Sequence, residues 1–503
     1  MSILRENILK TDAQLEELTL KFDRTFKKVF NSIDDVKSYL NIESFYASDL
    51  PSINLAKCIF NFDLELLSVK FSKNITFSES VFVGKVDFIA SEFNADFLQD
   101  NNERTMPNNF FNVIFLEYSN FEAVKFTNGV CFRCSNFKKW VNLTDTYFGG
   151  DTDMRYCSFS EEVIFSYLGR FSSYPENYPI KIKLDESTFY KKALFYNRIF
   201  NNCSFSNTKF QALSDFYNTK FNEDVCFDKT DFLGTSVFAE VTFCKKAIFL
   251  YTQVSRNMIL RRTNFLGGVN LALINFIGEG YINSLEVNIT DFHTDGNISD
   301  NSYDELSETI NIRHKRETYR ILKHEALKQN NRIEALTYHA LEMKSYEEEL
   351  KQIDKTKRNC FFSVILSPWF FILFVIRLFT FDLDKEKKSN YLSNDKLILW
   401  FNKFTNNFGS NWIQSISFTF WIAIFWYVLF LIFVNIDTQL YWDCDNWGET
   451  IKYAFQFLNI TEWNYKPYNA DYHWAYIPLL VGRIFVSLGI YQTIQAFRKY
   501  GRF

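Results

Sequence analysis

The sequence is short of glycine and proline, with 16 and 7 among 503 residues, and its glycines form no phosphate-cradling loop. It is short of net charge as well. The 55 Lys and Arg stand against 59 Asp and Glu, a balance of -4, which leaves no basic footprint for nucleic acid. Nine cysteines lack a paired framework, and the opening MSILRENILK TDAQLEELTL holds no apolar stretch to serve as a secretory signal. Reduced thiols in the cytosol are therefore expected. The lone C-x-x-C of Cys131 and Cys134 is at most half a zinc site, and Cys157 and Cys203 fall at small inward positions. His314, His324 and His339 lie on solvated helices and are expected to ligate nothing, and no nucleophile motif joins Ser, His and Asp. No enzyme, cofactor or metal is expected.

What the chain has is phenylalanine, 58 residues of it, in a sequence that is 23% charged. Left loose, so many Phe would make a sticky surface, so they need a special architecture. They recur. From Phe205 large apolar residues follow at Phe210, Phe216, Phe221, Phe227, Phe232, Phe238, Phe243 and Phe249, in alternating steps of five and six. The series runs on to Val287, and back through Phe110–Phe165 and Leu55–Phe93. Two residues before each large position stands a small or β-branched one, such as Thr208, Thr219, Val225, Thr230, Ser236, Val241 and Ala247. A spacing of two puts both side chains on one face of an extended segment, and the spacing of three and four that a helix needs is absent. Each segment is then one side of a coil, and stacked coils bury a Phe column. Residues 94–109 and 166–188 interrupt the series and read as loops thrown out of the stack. The second loop carries the aromatics Tyr174 and Tyr178.

The units Thr230-Asp231-Phe232, Thr263-Asn264-Phe265, Ser119-Asn120-Phe121 and Ser135-Asn136-Phe137 resemble the pentapeptide-repeat family. The resemblance implies a right-handed quadrilateral β-helix over 55–289, in a mixed fold that continues into α-helices. A sixth residue in alternate units departs from the family's pattern, so the corners should differ. An N-terminal helical cap is expected over 1–54. Over 303–358, helical spacing of Tyr319, Leu322 and Ala326, and of Ile333, Leu336, Ala340 and Met343, predicts a helical hairpin turning at Asn330-Asn331 and capping the solenoid's open end.

Three apolar segments follow. Ile413–Ile436 carries no charge and is long enough to span a membrane; Trp474–Phe497 is similar but holds Arg483; 360–381 holds Pro368 and Arg377. Lys351, Lys355, Lys357 and Arg358 precede these segments and Arg498, Lys499 and Arg502 follow them, while 437–473 is rich in Asp and Glu. The positive-inside rule then puts 437–473 outside and the C-terminus inside. With a cytosolic solenoid this fits two spans, so 359–412 is read as an interfacial segment and linker, and 413–503 as a two-span module.

Between the spans, Asn446–Trp463 reads as a short amphipathic segment ending in polar residues, the order of a two-span pore-loop cation channel. That resemblance implies a filter at Asn459, Thr461 and Glu462. Leu458–Asn464 holds no glycine, however, which speaks against a tight carbonyl ladder. The expectation is a multi-pass protein of a bacterial inner membrane, homo-oligomeric, whose cytosolic β-helix binds a protein partner and is coupled to a channel-like module. The alternative is a membrane-tethered scaffold without conduction. No nucleic acid is expected as a partner, and the interspersed Lys and Arg speak against DNA mimicry.

Overall fold

A chain that must turn a corner every five or six residues can do it in two ways, and this one alternates them, though at Phe195, Phe200, Phe205 and Phe210 three five-residue steps follow one another. The computed structural model describes residues 25–95, 98–100, 103–169, 178–290, 294–295, 310–355, 388–438, 447–460 and 473–497. Every five-residue step between inward side chains contains one residue in the left-handed region. Examples are Asn207 (φ 55°), Asn218 (52°), Lys229 (52°), Glu240 (59°) and Tyr251 (56°). The six-residue steps turn without any such non-glycine residue. The extra residue thus replaces a strained conformation, since left-handed backbone costs an L-residue about 1–2 kcal/mol.

The result is a parallel β-solenoid of four faces. In chain order they begin with Ile53–Asn54, Cys58–Phe60, Leu64–Glu65 and Lys70–Phe71. The first and third faces each carry ten strands and the second eleven, whereas the fourth is split into sheets of four and five. Strands pair with the coil above in parallel, as Asn136 with Ser158 and Lys220 with Thr242. Across the first interruption Val81 pairs with Ile114, and across the second Ser158 pairs with Thr188. Both insertions therefore leave the stack in register. The first carries the antiparallel hairpin Leu98–Asp100 with Glu103–Thr105.

The interior holds stacked columns of rings rather than one. Phe205, Phe227 and Phe249 stack at 4.9 Å, Phe216 and Phe238 at 4.8 Å, and Phe243 and Phe265 at 4.9 Å. These spacings match the distance between strands. Neighbouring columns meet edge to face, as Phe227 and Phe238 do at 5.4 Å and 85°. Phe205, Phe210, Phe216, Phe221, Phe227, Phe232, Phe238, Phe243 and Phe249 are all buried.

The small position does more than leave room. In the five-residue steps its hydroxyl donates to the carbonyl of the inward residue one coil back: Ser135 to Phe110 (2.6 Å), Thr146 to Phe121 (2.8 Å), Thr230 to Phe205 (2.7 Å) and Thr252 to Phe227 (2.9 Å). Where serine stands, its oxygen also accepts the amide of the coil below, as from Val113 (3.0 Å). This ladder satisfies backbone groups at the corners, where strand pairing lapses. Cys157 occupies the same place, its thiol against the Phe132 carbonyl, and Cys203 is buried in the next stretch.

The stack starts earlier than residue 55. Lys28–Phe30 pairs with Cys58–Phe60, and the Phe30 ring lies 5.5 Å from Phe60. Of the expected helical cap, residues 1–24 lie outside the described residues; the remainder holds one helix, α1 (Ile33–Leu40), capped by Ser32. At the other end α2 (Ile312–Lys328) begins. The Thr318 hydroxyl accepts the Leu271 amide (3.0 Å), and the His314 ring meets Asn270 (3.2 Å). So the first half of α2 closes the exposed edge of Val269–Asn270.

A second compact unit begins at Leu322. The end of α2 and all of α3 (Arg332–Lys355) belong to this unit, so the expected hairpin is divided between the two units. The turn is at Asn330 (φ 57°), and Asn331 caps α3. Tyr319, Leu322 and Ala326 are buried as expected, but Ile333 is 55% exposed; α3 buries Ala335, Tyr338, Glu342, Ser345 and Glu349 instead. Its Leu350 packs with Leu399 and Phe408, while Lys323 of α2 reaches Glu342 at 2.7 Å. A helix flanked on two sides shows no single apolar stripe.

Candidate functional site: the membrane module

Among the described residues two helices are long and apolar enough to cross a membrane. They are α5 (Trp412–Thr438), over Trp412–Val434, and α7 (Tyr476–Phe497). Before them α4 (Lys388–Asn406) ends in three consecutive left-handed residues, Asn407, Phe408 and Gly409. The Asn406 side chain holds that turn by accepting the Gly409 amide (2.9 Å), and Asn411 caps α5 through Gln414. Asn406 also donates to the Gln492 side-chain oxygen of α7, and Gln492 in turn reaches Asn402 (3.3 Å). Asn406 and Gln492 are buried, so this amide network fixes α4 against α7.

The two long helices lie close because small residues recur every seventh position along α7, at Gly482, Gly489 and Ala496, with Ala475 just before it in the same phase. A Cβ added to Gly482 would stand 2.7 Å from the Trp426 Cβ, and one on Gly489 would stand 2.5 Å from the Thr419 hydroxyl. The glycines thus let the backbone of α7 approach α5. Trp426 stacks on Phe485 at 5.7 Å, and Arg483 is 8% exposed within the same helix.

The short helix α6 (Trp447–Leu458) is seated against both. Its Phe457, fully buried, lies 5.6 Å from the Tyr427 ring and 6.0 Å from Phe430, and its edge meets Gly482. The Tyr427 hydroxyl donates to the Thr450 carbonyl (2.7 Å). Tyr427 and Phe430 fall inside the apolar stretch of α5, with Phe430 about 6 Å short of its end at Val434. So the C-terminal end of α6 is level with the interior of the apolar stretches. Its other side leaves Ile451 and Phe455 exposed.

Of the expected filter residues, Asn459 follows α6 directly, with its amide on the Gln456 carbonyl (3.0 Å) and its side chain exposed. Thr461 and Glu462 lie outside the described residues, as does 360–381. Cys131 and Cys134 are both half-buried and no disulfide joins the described cysteines; burial pushes the Cys131 thiol up to about 11. Among the described residues no group of His, Cys, Asp and Glu is placed to hold a metal. The amide pair Asn406–Gln492 and the seven-residue glycine stripe escaped sequence reasoning. The stripe was visible there as small residues in an otherwise bulky segment.

Fold and module together define a four-sided parallel β-solenoid followed by a helical unit with two membrane-length apolar helices. No family model matches the chain, and neither a curated protein nor a solved structure does so.

Proposed function

We propose that this chain is a membrane-anchored repeat protein whose solenoid binds a protein partner in the cytosol. Its helical unit, joined by further copies, then conducts cations in response. The observation that carries the reading is the seat of α6: a short helix whose end is packed on Tyr427, Phe430 and Gly482, inside the stretches that cross the bilayer. A helix that enters and turns back at that depth, followed by polar residues, is the arrangement of a pore loop. The basic residues flanking the spans support a cytosolic solenoid, and the family resemblance of the repeat supports a bacterial inner membrane.

A second reading is a tethered scaffold that passes no ions. The absence of glycine from Leu458–Asn464 favours it, since a narrow filter of backbone carbonyls needs conformations that glycine supplies. Ion flux from liposomes carrying the purified protein separates the two. The channel reading expects flux from an oligomer and its loss in Glu462→Gln or Asn459→Leu. A monomer in detergent with no flux, alone or with co-purified partners, would sink it and leave the scaffold.

A further inference from the structure

Hydroxyls alternate with valine and cysteine along the ladder, and among these small residues stands one charged side chain. Ser187 and Thr208 hold the ladder's places in adjoining positions, and between them, two residues before Phe200, stands Arg198. It is 3% exposed, donating from Nε to the Phe165 carbonyl (2.5 Å) and from Nη2 to the Leu143 carbonyl (3.0 Å). A guanidinium has five N–H donors, so three remain. No carboxylate among the described residues forms an ion pair with it. Burial pulls Arg198 down to about 10 and the nearby Asp145 pushes it back, so it is cationic at neutral pH. Asp145 itself accepts the amides of Leu168 (2.6 Å) and Gly169 (3.0 Å). A threonine, as in the neighbouring coils, would have met one of these carbonyls without burying a charge.

Arg198 stands where the fourth face is broken. The strand Tyr147–Phe148 ends one sheet, Ile199–Phe200 begins the other, and they do not pair. Beside the break a cavity of about 550 Å³ opens, lined by Tyr167, Leu168, Asn197, Arg198, Asn218 and Lys220. Lys220 is exposed and enters no ion pair with a described residue. That volume lies in the range of small-molecule sites.

We propose that this cavity binds a small phosphate-bearing molecule of nucleotide size. Arg198 meets the phosphate from the floor, Lys220 from the rim, and Tyr167 lies against the organic part. Among the described residues the lining holds two cations, Arg198 and Lys220, and Asp145 beside Arg198 already accepts two amides, which leaves a net attraction for an anion. A buried guanidinium binds phosphate oxygens without first losing bulk water.

Calorimetric titration of the full-length protein in lipid-free detergent, with ATP and with inorganic phosphate as probes, tests this. ATP is expected to bind and phosphate to compete with it. Lys220→Glu is expected to weaken ATP at least about tenfold, the effect of losing one charge-assisted contact, with an unchanged melting temperature because Lys220 is exposed. Arg198→Thr restores the ladder hydroxyl and is expected to abolish binding. Failure of both probes at millimolar concentration overturns the proposal. So does equal affinity in Lys220→Glu, or binding of adenosine as tight as that of ATP.

Discussion

The solenoid and the helical unit are held together by different kinds of neighbour. In the solenoid, away from the two interruptions, a residue's partner is found 21 to 25 positions along the chain, and the contact is repeated in kind: ring on ring, hydroxyl on carbonyl, strand on strand. In the helical unit partners come at intervals such as 19, 49, 56 and 90 residues, as Lys323 with Glu342, Tyr346 with Asp395, Lys403 with Glu347 and Gln492 with Asn402, with no fixed spacing. The solenoid is quasi-one-dimensional, so damage to one coil is felt by its two neighbours. The helical unit depends on a few singular polar contacts, each of which fixes a pair of helices.

The largest effect should come from the ring columns. Phe227 is stacked at 4.9 Å on both sides and touched edge-on by Phe216 and Phe238. Phe227→Ala should cost about 3–5 kcal/mol, because the coils above and below are fixed by their strands and cannot collapse into the hole. Denaturant unfolding followed by β-sheet circular dichroism measures it. A loss below about 1 kcal/mol would mean the coils do close up, and the stack would be less rigid than its register implies.

Next comes the closest approach in the helical unit. Gly482→Val places methyl groups where the Trp426 Cβ and the Phe457 ring now stand, and should cost about 1–3 kcal/mol by forcing α5, α6 and α7 apart. Thermal unfolding in detergent reads it. The same substitution at Gly448, whose Cβ would meet nothing within 4 Å, should be milder, and equal losses would remove the role given to the glycine stripe.

The same difference explains what could be read from the sequence. Steps of five and six fixed the inward positions, and from these the four faces, the stacked rings and both interruptions follow without knowing any distant partner. The sixth residue pointed to unlike corners, and the structure supplies the reason: only the five-residue step holds a non-glycine residue in the left-handed region. The helical unit yielded its two long helices, since length and hydropathy are local properties, but not its packing. Ile333 was misplaced because α3 is buried on two sides, a fact set by α4 more than fifty residues downstream. Arg198 was legible as a large charged residue at a place reserved for small ones, although the cavity beside it was not.

Acid should separate the two regions further. In the helical unit burial would raise the carboxyls of Glu342 and Glu347. Hydrogen bonds outweigh it, from His339 and Lys323 to the first and from Lys351 and Lys403 to the second, and hold both below the ordinary glutamate value. Their stabilisation is complete above about pH 4.3 and is lost as pH falls through the lowered folded values. In the solenoid Asp153, despite its burial, and Glu286 are also held low, by Arg155 and Arg262, but burial shifts Asp215 and Asp231 the other way, so protonating these two favours the folded state and offsets part of the loss. Helical ellipticity should therefore decline before the β signal as pH falls. The double variant Glu342→Gln, Glu347→Gln should lose that dependence. Simultaneous loss of both signals in the parent protein would mean that the two regions unfold as one.

The smallest effect is a gain, and it tests the corner. Leu273 is held at φ 58° in a five-residue step with its side chain half exposed. Leu273→Gly removes the left-handed strain but adds chain entropy to the unfolded state, for a net gain of about 0.5–1 kcal/mol. The same change at Thr235, in a six-residue step where φ is not positive, offers no strain to relieve and should only destabilise. The sign of the difference between these two variants decides whether strain is confined to alternate corners. If both lose stability equally, the five-residue corner is not strained, and the alternation of five and six needs another cause.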